Sequence, residues 1–151
     1  MGPISVIAFF CEDVREETSG THTIVGVFPD NLNIGATPGM LAKLGIYVRM
    51  QMSFEAHPQK VIVRVKVPGG LNLELGKFDS VIEEAKTAAK NIGMPFFGLI
   101  AKGTVSPLPI PTPGQIEAVV EIDGREHVCG VLNLIQSPAP TPASNEPSPP
   151  A

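Results

Sequence analysis

The sequence predicts a mainly β protein: a two-layer antiparallel β-sandwich, immunoglobulin-like or C2-like, with one short inserted α-helix. Three observations predict it. The stretch Q-I-E-A-V-V-E-I, D-G, R-E-H-V-C-G-V-L-N-L-I places Asp123-Gly124 between two alternating runs, the strongest short-range hairpin signal. Only 17% of residues are charged, while 16 prolines and 15 glycines supply turns for short strands. A helical period appears once, over about residues 80–92.

Residues 3–11 carry Ile4, Val6, Ala8 and Phe10 on one face and Ile7 and Phe9 on the other. An apolar run on both faces predicts a central strand, flanked on both sides. Ser19-Gly20 turns the chain into a β-branched strand over Thr21 to Phe28, and Asn31 to Ile34 reads as a short edge piece. Residues 43–53 alternate Leu44, Ile46, Val48, Met50 and Met52 against polar positions. The expected hairpin partner is Lys60 to Val67, with Val61, Val63, Val65 and Val67 facing in. Leu71 to Leu75 adds a short strand after Pro68-Gly69-Gly70.

Ser80 and Glu83 match a capping box, and Val81, Ile82, Ala85, Ala88, Ala89 and Ile92 form an apolar stripe. Gly93 and Pro95 stop the helix, which is expected to lie across one margin of the sandwich. Phe96 to Val105 returns to strand, and prolines at 107, 109, 111 and 113 predict an extended crossing. The final hairpin admits two registers. A two-residue turn sets Glu121 against Glu126 and turns Leu132 and Leu134 away from Ile116 and Val120. A three-residue turn with Gly124 in a bulge sets Glu121 against Arg125 and is favoured on both charge and burial. The β domain is expected over residues 1–136, with residues 137–151 a disordered proline-rich tail.

A net charge of -4 offers no general attraction for nucleic acid or anionic membrane. The N-terminal apolar run is too short to span a bilayer and lacks a basic leader, so a cytoplasmic protein is expected. Lys60, Arg64 and Lys66, with Arg49, could form a basic stripe, but no interleaved aromatics make a stacking platform. Glu12, Asp13, Glu16 and Glu17 lack a recognisable cation-loop spacing. The candidate metal ligands are Cys11, His127 and Cys129, the last two sharing one strand face, the outward one in the favoured register. No hydrolase elbow, dinucleotide fingerprint, Walker loop or zinc-protease motif is present, and no cofactor is expected.

The opening F-F-C-E-D-V-R-E-E-T-S-G-T-H-T-I-V-G-V-F-P-D-N-L and the later P-G-x-I-x-x-x-V-E-I-D-G-x-E resemble a family of small bacterial and phage-borne proteins known only as a domain of unknown function. Thr21-His22 and Phe28 stand where that pattern favours Lys and Tyr. The resemblance implies a two-sheet sandwich in a cytosolic or phage-encoded setting, and it implies no catalytic residue. Together these readings lead to the expectation of a non-enzymatic protein that binds a protein partner or assembles with its own copies. A small-ligand or metal-binding domain, or a phage structural or accessory protein, is the alternative.

Overall fold

The computed structural model describes residues 4–136. The tail expected over 137–151 lies outside the described residues. The strands are β1 (Ile4–Glu16), β2 (His22–Val27), β3 (Asn31–Ile34), β4 (Gly39–Leu41), β5 (Leu44–Ser53), β6 (Val61–Val67), β7 (Leu71–Phe78), β8 (Phe96–Val105), β9 (Leu108–Ile110), β10 (Gly114–Ile122) and β11 (Arg125–Gln136). The helix α1 (Ser80–Asn91) joins β7 to β8.

The molecule is a β-sandwich. One layer orders its strands β2-β1-β5-β8, the other β3-β11-β10-β6-β7, and β4 and β9 form a separate ribbon. All pairings are antiparallel except β3 beside β11, which is parallel. The alternation in β5 buries Leu44, Ile46, Val48, Met50 and Met52. The opposing layer contributes Val61, Val63, Val65, Ile116, Val120 and Leu132 to the same core. Inner faces of this kind interdigitate across about 10 Å.

The structure corrects the expected pairing of the segment at 43–53 with Lys60 to Val67. β5 pairs with β1 and β8, whereas β6 pairs with β10 and β7 in the other layer. A single 3-10 turn, Phe54–Ala56, followed by His57 in the left-handed region, carries the chain between layers. Both strands are apolar on the inner face, so alternation alone does not distinguish side-by-side from face-to-face partners.

The final hairpin also departs from the expected register. Glu121 stands opposite Glu126 and Ile122 opposite Arg125, with Asp123 (φ 48°) and Gly124 (φ 87°) forming a two-residue turn of the mirror-image type I class. The objection from burial is met by a bulge. Val119 pairs with Val128 but Ala118 with Gly130, leaving Cys129 without an opposite residue and returning Leu132 and Leu134 to the core. The objection from charge is met by the neighbouring strand: Arg64 takes Glu121 and Lys66 takes Glu126. Val128 is exposed as a result.

The helix is capped by Asp79, whose carboxylate accepts the Ser80 N–H at 2.7 Å, and not by the Ser80–Glu83 box. It ends as Gly93 predicts: the Gly93 N–H donates to Lys90 O and the Met94 N–H to Ala89 O, a Schellman motif. Ile82, Ala85 and Ala89 face the core, while Val81 and Ile92 are exposed and stand outside the buried stripe. The proline-rich crossing is partly strand. Leu108 and Ile110 are buried, and Pro109 sits opposite Met40 in the marginal ribbon.

Asp123 does more than turn the chain. Its Oδ1 accepts the N–H groups of Gln59 and Lys60, each at 2.9 Å, and its own N–H donates to Lys60 O. This anchors the start of β6 to the tip of the last hairpin. Asp123→Ala is expected to lower unfolding free energy by about 2 kcal/mol in urea denaturation, through two lost acceptor bonds and a strained positive φ. Asp123→Asn, which keeps the acceptor and tolerates that φ, should recover most of the loss.

Candidate functional site

A two-layer sandwich exposes strand edges, each a row of unpaired backbone groups unless something covers or blunts it. On one side of the molecule, β7 packs against β8, with Leu75 against Gly103 and the Ala101 side chain beside Gly76. The helix α1 packs along β8 as well, and Glu74 and Lys77 add charge to β7. On the other side, β3 covers the end of β11 from Asn133 to Gln136. The rest of β11 carries Arg125 on its inner face, Glu126 on its outer face and the bulge at Cys129. Inward charge and bulges are the usual means of keeping an edge from pairing.

The remaining edge is different. β2 pairs with β1 only from Cys11 to Glu16, with one further bond from the Phe28 N–H to Phe10 O at 2.8 Å. Ile4 to Phe9 pairs with β5 on one side and, among the described residues, with no strand on the other. This corrects the expectation of a strand central along its length: only the second half of β1 lies between neighbours. The Phe10 carbonyl points away from β5. Antiparallel alternation therefore turns the N–H and C=O of Ile4, Val6 and Ala8 toward the open side. Ile7 and Phe9 project from the outer face and are 50% and 39% exposed. Nothing in Ile4–Phe10 is charged, and none of it is proline.

Beside this edge the layers splay into a cleft of about 500 Å³. Ile4 and Val6 form one wall, Val120 and Ile122 the floor, and Arg125, His127 and Cys129 the opposite wall. The two walls converge further along, where Gly130 abuts Ala8 and Phe10. A side chain at Gly130 would collide with Ala8, so the glycine permits this close approach.

The structure separates the candidate metal ligands. His127 stands opposite buried Val120, which turns it into the cleft and corrects the outward placement. Cys129 occupies the bulge, its thiol donating to Ala118 O at 3.3 Å. Cys11 lies in the other layer, buried beside Gly45, its thiol donating to Asp13 O. Among the described residues no three His, Cys, Asp or Glu side chains converge as a ligand set. Burial raises both thiols, Cys129 to about 11. Both are therefore held as protonated thiols near neutrality, the form that does not ligate metal or attack electrophiles.

The charged clusters are internally matched. Asp13 accepts from Lys43 at 2.7 Å and from Arg15 at 3.1 Å, and these hydrogen bonds lower its pKa. Lys102 holds Glu16 at 3.0 Å and lowers its pKa likewise. The same ammonium stands 3.1 Å from His22 Nε2, and His22 Nδ1 lies 3.2 Å from the Tyr47 hydroxyl. Because an ammonium only donates, Nε2 is the acceptor and Nδ1 carries the proton toward Tyr47. This network ties the hairpin of β1 and β2 to β5 and β8. The residues that could have formed a basic stripe are dispersed: Arg64 and Lys66 are paired, and Arg49 lies in the opposite layer.

The open edge was missed in the sequence because pairing partners are not encoded locally, although apolar residues on both faces of β1 were the available signal. Fold and edge define a β-sandwich module with one inserted helix. A family model covers residues 6–129, and the chain belongs to the family of unknown function DUF6941. Comparison with curated proteins gives no match. No helix among the described residues is long and apolar enough to cross a membrane.

The raised Cys129 thiol has a measurable consequence. Its alkylation by iodoacetamide should be slow near pH 8 and accelerate toward pH 11 in the folded protein. Its folded pKa is raised by burial above the ordinary thiol value of 9.0, so its contribution to stability is complete below about pH 9 and is lost as pH rises through about 11. Cys129→Ser should flatten that part of the stability profile.

Proposed function

We propose that this chain is a non-enzymatic binding or assembly module that accepts an extended strand of protein along the open half of β1. The observation that supports this reading is a mismatch within one strand. Ile4 to Phe10 is composed like a strand with neighbours on both sides, yet among the described residues Ile4 to Phe9 has one neighbour. The edges of β7, β8 and β11 are covered or blunted by α1, β3, charge or a bulge, and β2, the outermost strand of the same layer, is short and interrupted by Gly26 at φ 64°. Main-chain pairing to such an edge supplies affinity, while the side-chain pattern on each face supplies selectivity.

The partner is expected to present an uncharged, alternating strand, because a charge directly beside Ile7 or Phe9 would be desolvated without a counter-charge. A cytosolic setting in a bacterial or phage-borne system belongs to the same proposal. It is supported by the resemblance of the opening block and by two free thiols that sit in different layers.

Selection of extended peptides from a displayed random library against the whole chain tests the reading. Bound peptides should slow hydrogen exchange at the Val6 and Ala8 amides, and Ile7→Lys should abolish their binding with little change in melting temperature. Binders that protect only β11 or the helix, and leave those amides unprotected, would sink it.

A further inference from the structure

We infer that the strand received by β1 is β1 of a second copy, paired antiparallel about a two-fold axis through Val6. The inference rests on the open-edge reading above and names its partner.

The backbone first limits the register. The groups facing the open side belong to Ile4, Val6 and Ala8, and the next acceptor along the chain, Phe10 O, is already taken by Phe28. A two-fold axis at Val6 sets Ile4 opposite Ala8 of the second copy, Val6 opposite Val6, and Ala8 opposite Ile4. The N–H and C=O groups of Ile4, Val6 and Ala8 then all find partners, and the ladder stops where β2 begins. An axis at Ala8 would instead bring Phe10 opposite Val6, into the place held by Phe28 and β2.

Chemistry then favours a copy over an unrelated strand. A two-fold axis brings the axial residue beside its own copy and the copies of its near neighbours close together, so like charges near the axis oppose self-pairing. Ile4 to Phe10 carries none, whereas β11 has Arg125 and Glu126 at its free end. On the outer face the axis sets Ile7 opposite Ser5 of the second copy and brings the two Ile7 side chains together diagonally. Ile7, half exposed in the single chain, is thereby covered. On the inner face the Ile4 and Val6 walls of the two clefts become continuous. The product is one eight-stranded sheet running through both molecules, backed by two separate second layers.

Sedimentation of the full chain from micromolar to near-millimolar concentration tests this, with matched variants. The wild-type chain should dimerise. Val6→Pro removes an outward N–H that makes no bond within the chain, the position where an edge strand tolerates proline. It should weaken the dimer about 10- to 100-fold, as loss of the two-fold-related bonds at the axis implies, with the far-ultraviolet spectrum unchanged. Ile7→Lys, which sets two like charges near the axis, should do the same and covers the case in which the proline variant does not fold. Mixing Ser5→Cys chains with Ile7→Cys chains under mild oxidation should give a disulfide-linked heterodimer, which neither variant forms with itself in this register.

A dimer unaffected by Val6→Pro and Ile7→Lys would overturn the inference. So would a chain that stays monomeric while library peptides protect the Val6 and Ala8 amides; that result would leave the binding-edge reading standing. A monomer whose edge amides exchange freely and which selects no peptide would overturn both.

Discussion

The interdigitation of β5 with the strands of the opposite layer is the contact on which the architecture rests. Leu44, Ile46, Val48, Met50 and Met52 are fully buried, and so are Val61, Val63, Ile116 and Val120 facing them. An alternating strand has only one such face to offer, so two layers are needed to bury it. The rest of the molecule deals with what that arrangement leaves unsatisfied. Two stacked sheets hide their inner faces and leave their outermost backbone groups unpaired. The helix, the β4–β9 ribbon, the parallel strand β3 and the bulge at Cys129 lie at these margins, and the chain devotes most of its irregular structure to them.

The bulge shows how the two demands are coupled. A tight two-residue turn at Asp123-Gly124 fixes one register for the hairpin tip, while burial of Leu132 and Leu134 requires the other register further along. One unpaired residue reconciles them, and its spare thiol finds the Ala118 carbonyl. The register that the turn sets at the hairpin tip points His127 toward the cleft and exposes Val128. The character of that wall is thus a by-product of register, which explains why it gathers an imidazole, a guanidinium and a buried thiol without assembling a site for ions.

Much of the fold was legible in the sequence because it is written in short-range periodicity. The alternation of β5, β6 and β10 and the helix stop at Gly93 follow from residues within a few positions of one another. What escaped depends on residues far apart. Lys60 to Val67 reads equally well as a neighbour of β5 and as a strand facing it. The register of the last hairpin was misjudged because Glu121 and Glu126 are neutralised by Arg64 and Lys66, more than fifty positions away. The helix cap shifted by one residue because Asp79 precedes Ser80 and its carboxylate accepts the Ser80 N–H, which places Ser80 inside the helix.

The candidate site was the least legible part, for a related reason. An unpaired edge is a property of topology, visible only once all the strands have been placed. Yet the residues of that edge carried a hint. A strand exposed on one side ordinarily acquires lysines, prolines or an interruption, because an unprotected edge recruits whatever backbone it meets. β11 carries Arg125, Glu126 and a bulge and the first half of β1 carries neither charge nor bulge, although the two lie side by side across one cleft. Composition and topology therefore disagree over Ile4 to Phe9 and agree along β5, β6 and β10. A sequence that guards one edge and leaves its neighbour bare is what the proposed pairing along β1 would require.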